Sequence, residues 1–189
     1  MNAKPKPPKK FTAADLRLDR PIVLVGLMGV GKSTVGRRLA SLLKTDFVDA
    51  DSEIETAAAM SIAEIFEEFG EPYFRDGERR VIARLIEDRP QVIATGGGAF
   101  INEETRTLIK ERGIAVWLDA EIDTLVERVN RRNTRPLLRN GNAREILTEL
   151  ANRRNPFYAE AHVHVMSDNG PHKRTAHDIV HAIGKWENS

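Results

Sequence analysis

The sequence predicts an α/β fold in which a parallel β-sheet is flanked by helices. Five short apolar segments, each about as long as one buried strand, alternate along the chain with segments of helical periodicity. The first of them, 22–25, is apolar at every position and ends at a glycine, which is typical of a strand covered on both faces. A glycine-rich segment joins this strand to the first helix. Because regular alternation of strands and helices favours parallel pairing, helices are expected on both faces of one sheet.

The chain begins with a basic tail and a connector. Residues 1–10 contain four lysines and three prolines but no large apolar side chain other than Met1, so we expect them to be disordered. Residues 11–20 are expected to contain a short helix, for which Thr12 is a candidate N-cap. The predicted organisation is therefore a disordered tail and connector over 1–20 and a single domain over 21–189.

The strands of this domain are predicted where apolar residues run together between turn-forming residues. In chain order they comprise residues 22–25, 47–48, 91–95, 114–118 and 162–166. The second ends at the acidic sequence Asp49-Ala50-Asp51, and the third ends at three glycines, 96–98. His162 and His164 alternate in the last strand and raise the question of a metal pair. No third ligand lies near them in sequence, so we interpret them as ordinary strand residues.

The helices are predicted from apolar residues at helical spacing and from signals at their ends. Ser61 and Glu64 form a capping-box pattern, and Pro72 suits the first turn of the next helix. Asn102 is expected to begin a later helix, and Pro156 is expected to end another. In chain order the predicted helices cover 32–43, 61–69, 72–87, 102–112, 121–131, 142–154 and 174–186, and 132–141 is predicted to be a loop.

Composition excludes several classes of function. The 29 Lys and Arg residues nearly balance the 28 Asp and Glu residues, so no overall basic field for nucleic acid exists. The absence of cysteine excludes disulfides, thiol nucleophiles and thiolate metal sites. No apolar run reaches the roughly 18 residues of a membrane span, and no apolar segment follows the basic N-terminus. We expect a cytoplasmic protein that acts on small molecules as a monomer, without nucleic acid or membrane.

The glycine-rich segment 26–33, GLMGVGKS, matches the phosphate-binding pattern G-x-x-x-x-G-K-[ST] and is called the phosphate loop below. Its backbone N–H groups and the following helix N-terminus are suited to bind phosphates. Lys32 is expected to reach the β- and γ-phosphates, and the Ser33 hydroxyl to ligate Mg²⁺. A fortuitous glycine-rich turn is the alternative, but the strand before it and the helix after it argue against that. The pattern predicts a nucleoside triphosphate with Mg²⁺ and leaves the acceptor open.

The other candidate site residues follow the second and third strands, whose carboxyl ends should border the same crevice. Of Asp49 and Asp51, one could hold Mg²⁺ through water and the other could take a proton from an acceptor hydroxyl. Both could also be solvated turn residues. The glycines at 96–98 indicate a close approach of a small ligand to backbone. Arg75 and Arg154 could each bind a carboxylate or phosphate, although spacing alone does not distinguish them from the other arginines.

An arginine-rich stretch over 128–139 is interrupted by turn-forming residues. We predict a mobile lid over about 128–141, which would close on the nucleotide and bring positive charge to the transferring group. A solvated helix end is the favoured interpretation for Arg131 and Arg132. An RNA-binding patch is a third interpretation, against which the absence of aromatic residues in the stretch weighs.

Taken together and in order, these segments resemble shikimate kinases over nearly the whole chain, from about residue 21 to residue 186. The resemblance is carried by residues 26–36, 47–51, 61–66, 70–71, 74–75, 96–99, 135–138 and 154–158. It implies a P-loop kinase of the nucleoside-monophosphate-kinase-like fold, with a mobile lid and sheet order 2-3-1-4-5. It also implies transfer of the γ-phosphoryl group of ATP to the 3-hydroxyl of shikimate, with Mg²⁺, in aromatic amino-acid biosynthesis.

The resemblance further implies the role of each site residue. Lys32, Asp51 and Arg135 would be catalytic, with Asp51 as the candidate base and Arg135 as the lid arginine that meets ATP phosphate. The metal residues would be Ser33, as a ligand, and Asp49, acting through water. ATP would be bound by Gly29, Val30, Gly31, Lys32, Ser33, Thr34 and Arg135. Shikimate would be bound by Asp51, Arg75, Gly97, Gly98 and Arg154, the two arginines holding its carboxylate.

Three other functions compete with this one. A kinase of the same fold could act on gluconate or on a nucleoside monophosphate. A catalytically silent nucleotide-binding module should have lost Lys32, Asp51 or an acceptor arginine, and all are retained. An RNA-binding protein would have to use the stretch 128–139.

Overall fold

The structure is a computed structural model that describes residues 10–131, 142–168 and 170–189. Its strands are β1 (Ile22–Val25), β2 (Phe47–Asp49), β3 (Val92–Ala94), β4 (Ile114–Asp119) and β5 (Val163–Met166). They form one parallel sheet in the order β2-β3-β1-β4-β5, which confirms the predicted fold class and strand order. Arg135 and most of the predicted lid lie outside the described residues, as does most of the predicted disordered tail.

Seven α-helices flank the sheet within the described residues. They are α1 (Lys32–Leu43), α2 (Ala50–Ala58), α3 (Ile62–Asp88), α4 (Glu103–Arg112), α5 (Ile122–Arg131), α6 (Ala143–Tyr158) and α7 (His172–Glu187). None of these helices has the length and apolarity needed to cross a bilayer. The prediction for α1 is confirmed to the residue, and the Asn102 cap of α4 is confirmed by the hydrogen bond that its side chain accepts from Thr105 N.

The core lies on both faces of the sheet. All four side chains of β1 are buried, and because successive side chains of a strand point to opposite faces, both faces must be covered. β1 pairs with β3 on one side and β4 on the other, in register from Ile22 onward. Because β1 is the central strand, the phosphate loop that follows it lies in the middle of the row formed by the carboxyl ends of the strands.

Helix α2 was not predicted. Its only buried residues are Ala50 and Ile54, so it lacks the apolar stripe that identifies a helix in sequence. Asp49 is its N-cap and accepts a hydrogen bond from Asp51 N at 3.2 Å. Asp51 therefore lies in the first turn of a helix and not in a strand-end turn.

Helix α3 is broken at Gly70, where φ is +79° and ψ is 173°. Only glycine adopts this conformation readily, and it separates the two helical segments that the sequence predicts. The Ser61 capping box is confirmed, with both reciprocal hydrogen bonds present. The break sets the direction of the second segment, which carries Arg75.

We predicted that helix α6 ends before Pro156. This prediction is wrong, because the helix continues to Tyr158. Proline removes the N–H that would bond the carbonyl four residues earlier, yet the helix tolerates it in its last turn. As a result, Arg154 and Tyr158 lie four residues apart on one helix and project from the same face.

The connector lies against α7. In place of the predicted helix over 11–20 it forms one 3₁₀ turn, Ala13–Asp15, with Thr12 as N-cap. The Phe11 ring packs so closely on α7 that a Cβ on Gly184 would lie 2.5 Å from it, and Leu16 and Leu18 pack against the core.

Candidate active site

The carboxyl ends of β1, β2 and β3 bring three loops together. The phosphate loop follows β1, Asp49 ends β2, and residues 96–98, called the glycine loop below, follow β3. Thr95 anchors the glycine loop, because its N–H and its hydroxyl both donate to Leu24 O of β1, at 3.2 and 3.0 Å. A cavity of about 90 Å³, called the phosphate cavity, is lined by the residues Met28, Gly29, Gly31, Lys32, Ser33, Thr34, Asp49, Asp51, Thr95, Gly96 and Gly97.

Within the phosphate loop, Gly31 is the N-cap of α1, and its φ of +100° is a left-handed value suited to glycine. Lys32 Nζ donates to Gly26 O at 2.7 Å and to Leu27 O at 2.9 Å, so the ammonium lies over the loop. Val30, the remaining predicted ATP residue, has its side chain buried beneath the loop. The lysine charge and the N-terminus of α1 both favour an anion at this place.

Ser33 and Asp49 are joined directly. Ser33 Oγ donates to Asp49 Oδ2 at 2.6 Å, while Asp49 Oδ1 caps α2. A hydroxyl and a carboxylate are the hard oxygen donors that Mg²⁺ prefers. Within the described residues no group of three or more His, Cys, Asp or Glu side chains could hold a metal alone. The donor set thus fits Mg²⁺ that arrives with a nucleotide, because Mg²⁺ usually takes one or two carboxylates together with phosphate and water.

Two carboxylates meet at Gly96. A Cβ on this glycine would lie 2.8 Å from Asp51 Oδ1 and 3.1 Å from Glu78 Oε1. Glu78 is only 2% exposed, and its Oε2 accepts from Arg75 Nη1 at 2.7 Å. Burial raises the pKa of Glu78, against the opposing charge of Arg75. Sequence reasoning missed Glu78, for which the only signal was an acid three residues after Arg75 on one helix.

Arg75 lies between two glutamates and the glycine loop. It binds Glu78 and, through Nη2, Glu71 Oε1 at 3.1 Å. Burial works against its charge, but the two glutamates outweigh burial and raise the pKa of Arg75. A Cβ on Gly98 would lie 2.5 Å from Arg75 Nη2, so a side chain there would displace this guanidinium.

Arg154 approaches the glycine loop from α6. Its Nη1 donates to Gly97 O at 3.2 Å. Arg154 and Arg75 line one cavity of about 420 Å³, called the acceptor cavity, with Glu71, Gly98, Ile101, Asn102, Leu150, Arg153 and Phe157. The two arginines that spacing could not select are therefore brought to one place. Two guanidinium groups on one cavity are suited to bind a carboxylate.

Tyr158 also reaches the glycine loop and was missed by sequence reasoning. Its side chain is fully buried, and its hydroxyl donates a hydrogen bond to Gly97 O. Burial raises the pKa of Tyr158 to about 12, although the charge of Arg154 opposes the shift. The sequence signal, a tyrosine four residues after Arg154, was hidden by the expectation that the helix ended before Pro156.

Arg128 links the phosphate loop to the segment after β5. Its Nη1 donates to Val30 O at 2.9 Å and to Ser167 Oγ at 3.2 Å, and its Nη2 donates to Asp168 O. The predicted lid begins at about this residue, and the structure places Arg128 within α5. Arg131, by contrast, lies at an exposed helix end beside Glu127, as the favoured interpretation had it.

The two histidines of the last predicted strand have separate partners. His162 Nδ1 accepts a hydrogen bond from Ala115 N at 3.0 Å. His164 Nε2 lies 3.2 Å from Asp119 Oδ2, and its ring stacks on Trp117. His164 lies within β5, as we interpreted it, whereas His162 lies directly before the strand and not in it.

Comparisons with known proteins agree on one family. A model described as shikimate kinase matches residues 28–184. The chain is 63% identical over 175 residues to a shikimate kinase of Novosphingobium aromaticivorans, covering 90% of each protein. It is 57% identical over 164 residues to one of Caulobacter vibrioides, covering 87% of this chain and 82% of the relative. Among solved structures, a shikimate kinase from Acinetobacter baumannii in complex with shikimate matches with a TM-score of 0.84 and 38% identity, covering 90% of this chain and 96% of that one.

Proposed function

The chain belongs to the shikimate kinase family, and from that premise we propose how its residues divide the work of the reaction. The protein is a phosphotransferase that moves the γ-phosphoryl group of ATP to the 3-hydroxyl of shikimate. The observation that carries the residue assignment is the meeting of Arg75, Arg154 and Asp51 at the glycine loop, beside the phosphate loop. Phosphoryl transfer needs mainly positioning and charge neutralisation, and this arrangement supports both.

On the ATP side, the phosphate loop and Thr34 bind the phosphates through backbone N–H groups and the N-terminus of α1. The Lys32 ammonium exchanges the carbonyls of Gly26 and Leu27 for the β- and γ-phosphates and neutralises charge there. Arg128 binds Val30 O of the phosphate loop and Asp168 O of the segment after β5. These contacts support a nucleotide site that is bordered by these two segments.

Ser33 and Asp49 hold Mg²⁺ in this proposal, Ser33 as a ligand and Asp49 through water. Their direct hydrogen bond and their position in the phosphate cavity support the assignment. When bound, the metal neutralises the charge of the β- and γ-phosphates. Asp49 has a second function that belongs to the chain itself, because its other carboxylate oxygen caps the helix that carries Asp51.

On the acceptor side, Arg75 and Arg154 bind the carboxylate of shikimate, and the backbone of Gly97 and Gly98 completes the contact. Asp51 accepts a hydrogen bond from the 3-hydroxyl and takes its proton as the oxygen attacks the γ-phosphorus. The bond from that phosphorus to the β–γ bridging oxygen breaks, and ADP leaves. The position of Asp51 in the phosphate cavity, beside Gly96 of the glycine loop, supports this role.

The remaining proposals concern the lid and the state of the protein. Arg135 closes on the ATP phosphate from the lid, and residues 21–189 form the catalytic domain. The protein works as a cytoplasmic monomer that does not bind nucleic acid. Light scattering of the purified chain with and without substrates tests whether it is a monomer. Salt-sensitive retention of RNA without ATP dependence would contradict the proposal that the protein does not bind nucleic acid.

An acceptor screen tests the function. The purified full chain is incubated with ATP, Mg²⁺ and shikimate, gluconate or a nucleoside monophosphate, and ADP release is followed. We expect release that depends on shikimate, with shikimate 3-phosphate as the product by mass spectrometry. Turnover of gluconate or a nucleoside monophosphate in place of shikimate would overturn the assignment.

A further inference from the structure

The carbonyl oxygen of Gly97 accepts two hydrogen bonds from the same helix. One comes from Arg154 Nη1, and the other from the hydroxyl of Tyr158, one turn later on α6. A carbonyl oxygen has two lone pairs, so these two donors satisfy it fully. The guanidinium that we assign to the substrate carboxylate thus shares an acceptor with a buried phenol.

The buried position of Tyr158 needs an aromatic ring but does not itself need a hydroxyl. The ring is fully buried and packs against Trp117, with 6.0 Å between the ring centroids, a contact that phenylalanine would also make. A buried hydroxyl carries a desolvation cost unless it finds a partner, and this one points to the glycine loop. Because its pKa is raised to about 12, the phenol stays a donor at working pH.

Gly97 lies between the two substrate sites. A Cβ at this position would be 3.3 Å from Arg154 Nη1, 3.5 Å from Gly26 O and 3.6 Å from Met28 N. A shift of Gly97, which lies beside the phosphate loop, would therefore move the oxygen that Arg154 binds. If the phenol were missing, Arg154 would be the remaining one of these two donors to the partly buried Gly97 oxygen, and its guanidinium would be drawn toward the loop.

We propose that Tyr158 is a positioning residue for the acceptor: its hydroxyl holds Gly97 and so leaves the outer N–H groups of Arg154 directed at the carboxylate of shikimate. The inference rests on the proposed role of Arg154. In this proposal Tyr158 does not contact the substrate. It orients Arg154, which does.

The test is Tyr158→Phe, which keeps the ring and removes only the hydroxyl. We expect the KM for shikimate to rise about tenfold, the scale of one hydrogen bond, while the KM for ATP changes less than twofold. The matched control is Tyr73→Phe at the only other tyrosine of the chain, which is 56% exposed and should leave both constants unchanged.

Binding measurements separate positioning from a general structural effect. By calorimetry, Tyr158→Phe should weaken shikimate binding about tenfold in the wild-type background but less than threefold in an Arg154→Lys background, because the two residues act on one oxygen. An equal loss in both backgrounds, an unchanged KM for shikimate, or parallel rises in both KM values would each overturn the inference. If wild-type protein failed to use shikimate at all, the proposed function would fall instead.

Discussion

Asp51 and Glu78 lie at the same glycine in different surroundings. Glu78 is buried and bound to Arg75, whereas Asp51 lines the phosphate cavity. Burial raises the pKa of Glu78, and a second negative charge nearby adds to this effect. Because Glu78 is buried and engaged by Arg75, we propose that it orients Arg75, and that Asp51, in the phosphate cavity, takes the proton of the acceptor hydroxyl.

Substitution Asp51→Asn should lower kcat roughly 100-fold or more, because the amide cannot take the proton. ATP binding should stay nearly intact, since the phosphate loop is untouched. Steady-state kinetics and nucleotide calorimetry measure the two effects, with Asp178→Asn, an exposed position on α7, as the control. Near-normal turnover of the Asp51 variant would remove this residue from the chemistry.

Replacing Arg75 by alanine should raise the KM for shikimate by about 10- to 100-fold, the range of a lost charge-assisted hydrogen bond. The KM for ATP should change less than threefold. Arg80→Ala is the control on the same helix, because Arg80 is largely exposed and pairs with Asp76. If both KM values rose equally, the proposed carboxylate contact would be wrong.

At the scale of elements, α3 owes its shape to one backbone conformation. The φ and ψ of Gly70 belong to a region that is essentially closed to other residues. The sequence signals around it, a capping box before and a proline after, were sufficient to predict two helical segments. Helix α2 had no such signals, and its single large buried side chain, Ile54, gains its partners Ile65 and Phe74 only in the folded chain.

Gly70→Ala should lower the free energy of unfolding by about 1–3 kcal/mol, because alanine is strained at this φ and ψ. The matched control is Gly77→Ala, on the same helix, where a Cβ would meet no atom within 4 Å. That change should raise stability by up to about 1 kcal/mol. Chemical denaturation measures both, and a Gly70 variant as stable as wild type would contradict the strain.

At the scale of the whole molecule, local motifs were predictable and long-range contacts were not. The phosphate loop, its strand and α1 are encoded within about twenty consecutive residues, and their prediction is confirmed. Arg128 illustrates the limit, because its partners Val30 and Ser167 are 98 and 39 residues away. Arg75 and Arg154 likewise needed the family resemblance, since α3 and α6 meet through the 3₁₀ turn Ala99–Ile101, on which both helices pack.

His162 joins distant parts of the chain and should make stability depend on pH. Burial lowers its pKa, as do the charges of Arg20 and Lys110, and its Nδ1 accepts the Ala115 N–H. The unfolded chain then binds a proton more readily than the folded one. Stability should accordingly fall as pH drops below about 6.5, the ordinary pKa of histidine.

Thermal unfolding between pH 5 and pH 8 measures this effect, and His162→Gln should reduce the slope at the acid end. His177→Gln, at an exposed position of α7, is the control. An unaltered slope in the His162 variant would assign the pH dependence to other groups.

The surroundings of Gly97 also have a consequence for inhibitors and drug resistance. A Cβ there would be tight only against the guanidinium of Arg154, at 3.3 Å, and would make ordinary contacts with Gly26 O and Met28 N of the phosphate loop. A substitution at Gly97 that blocks a compound bound at the glycine loop would therefore act first on Arg154. We expect such an escape variant to lose affinity for shikimate before it loses affinity for ATP.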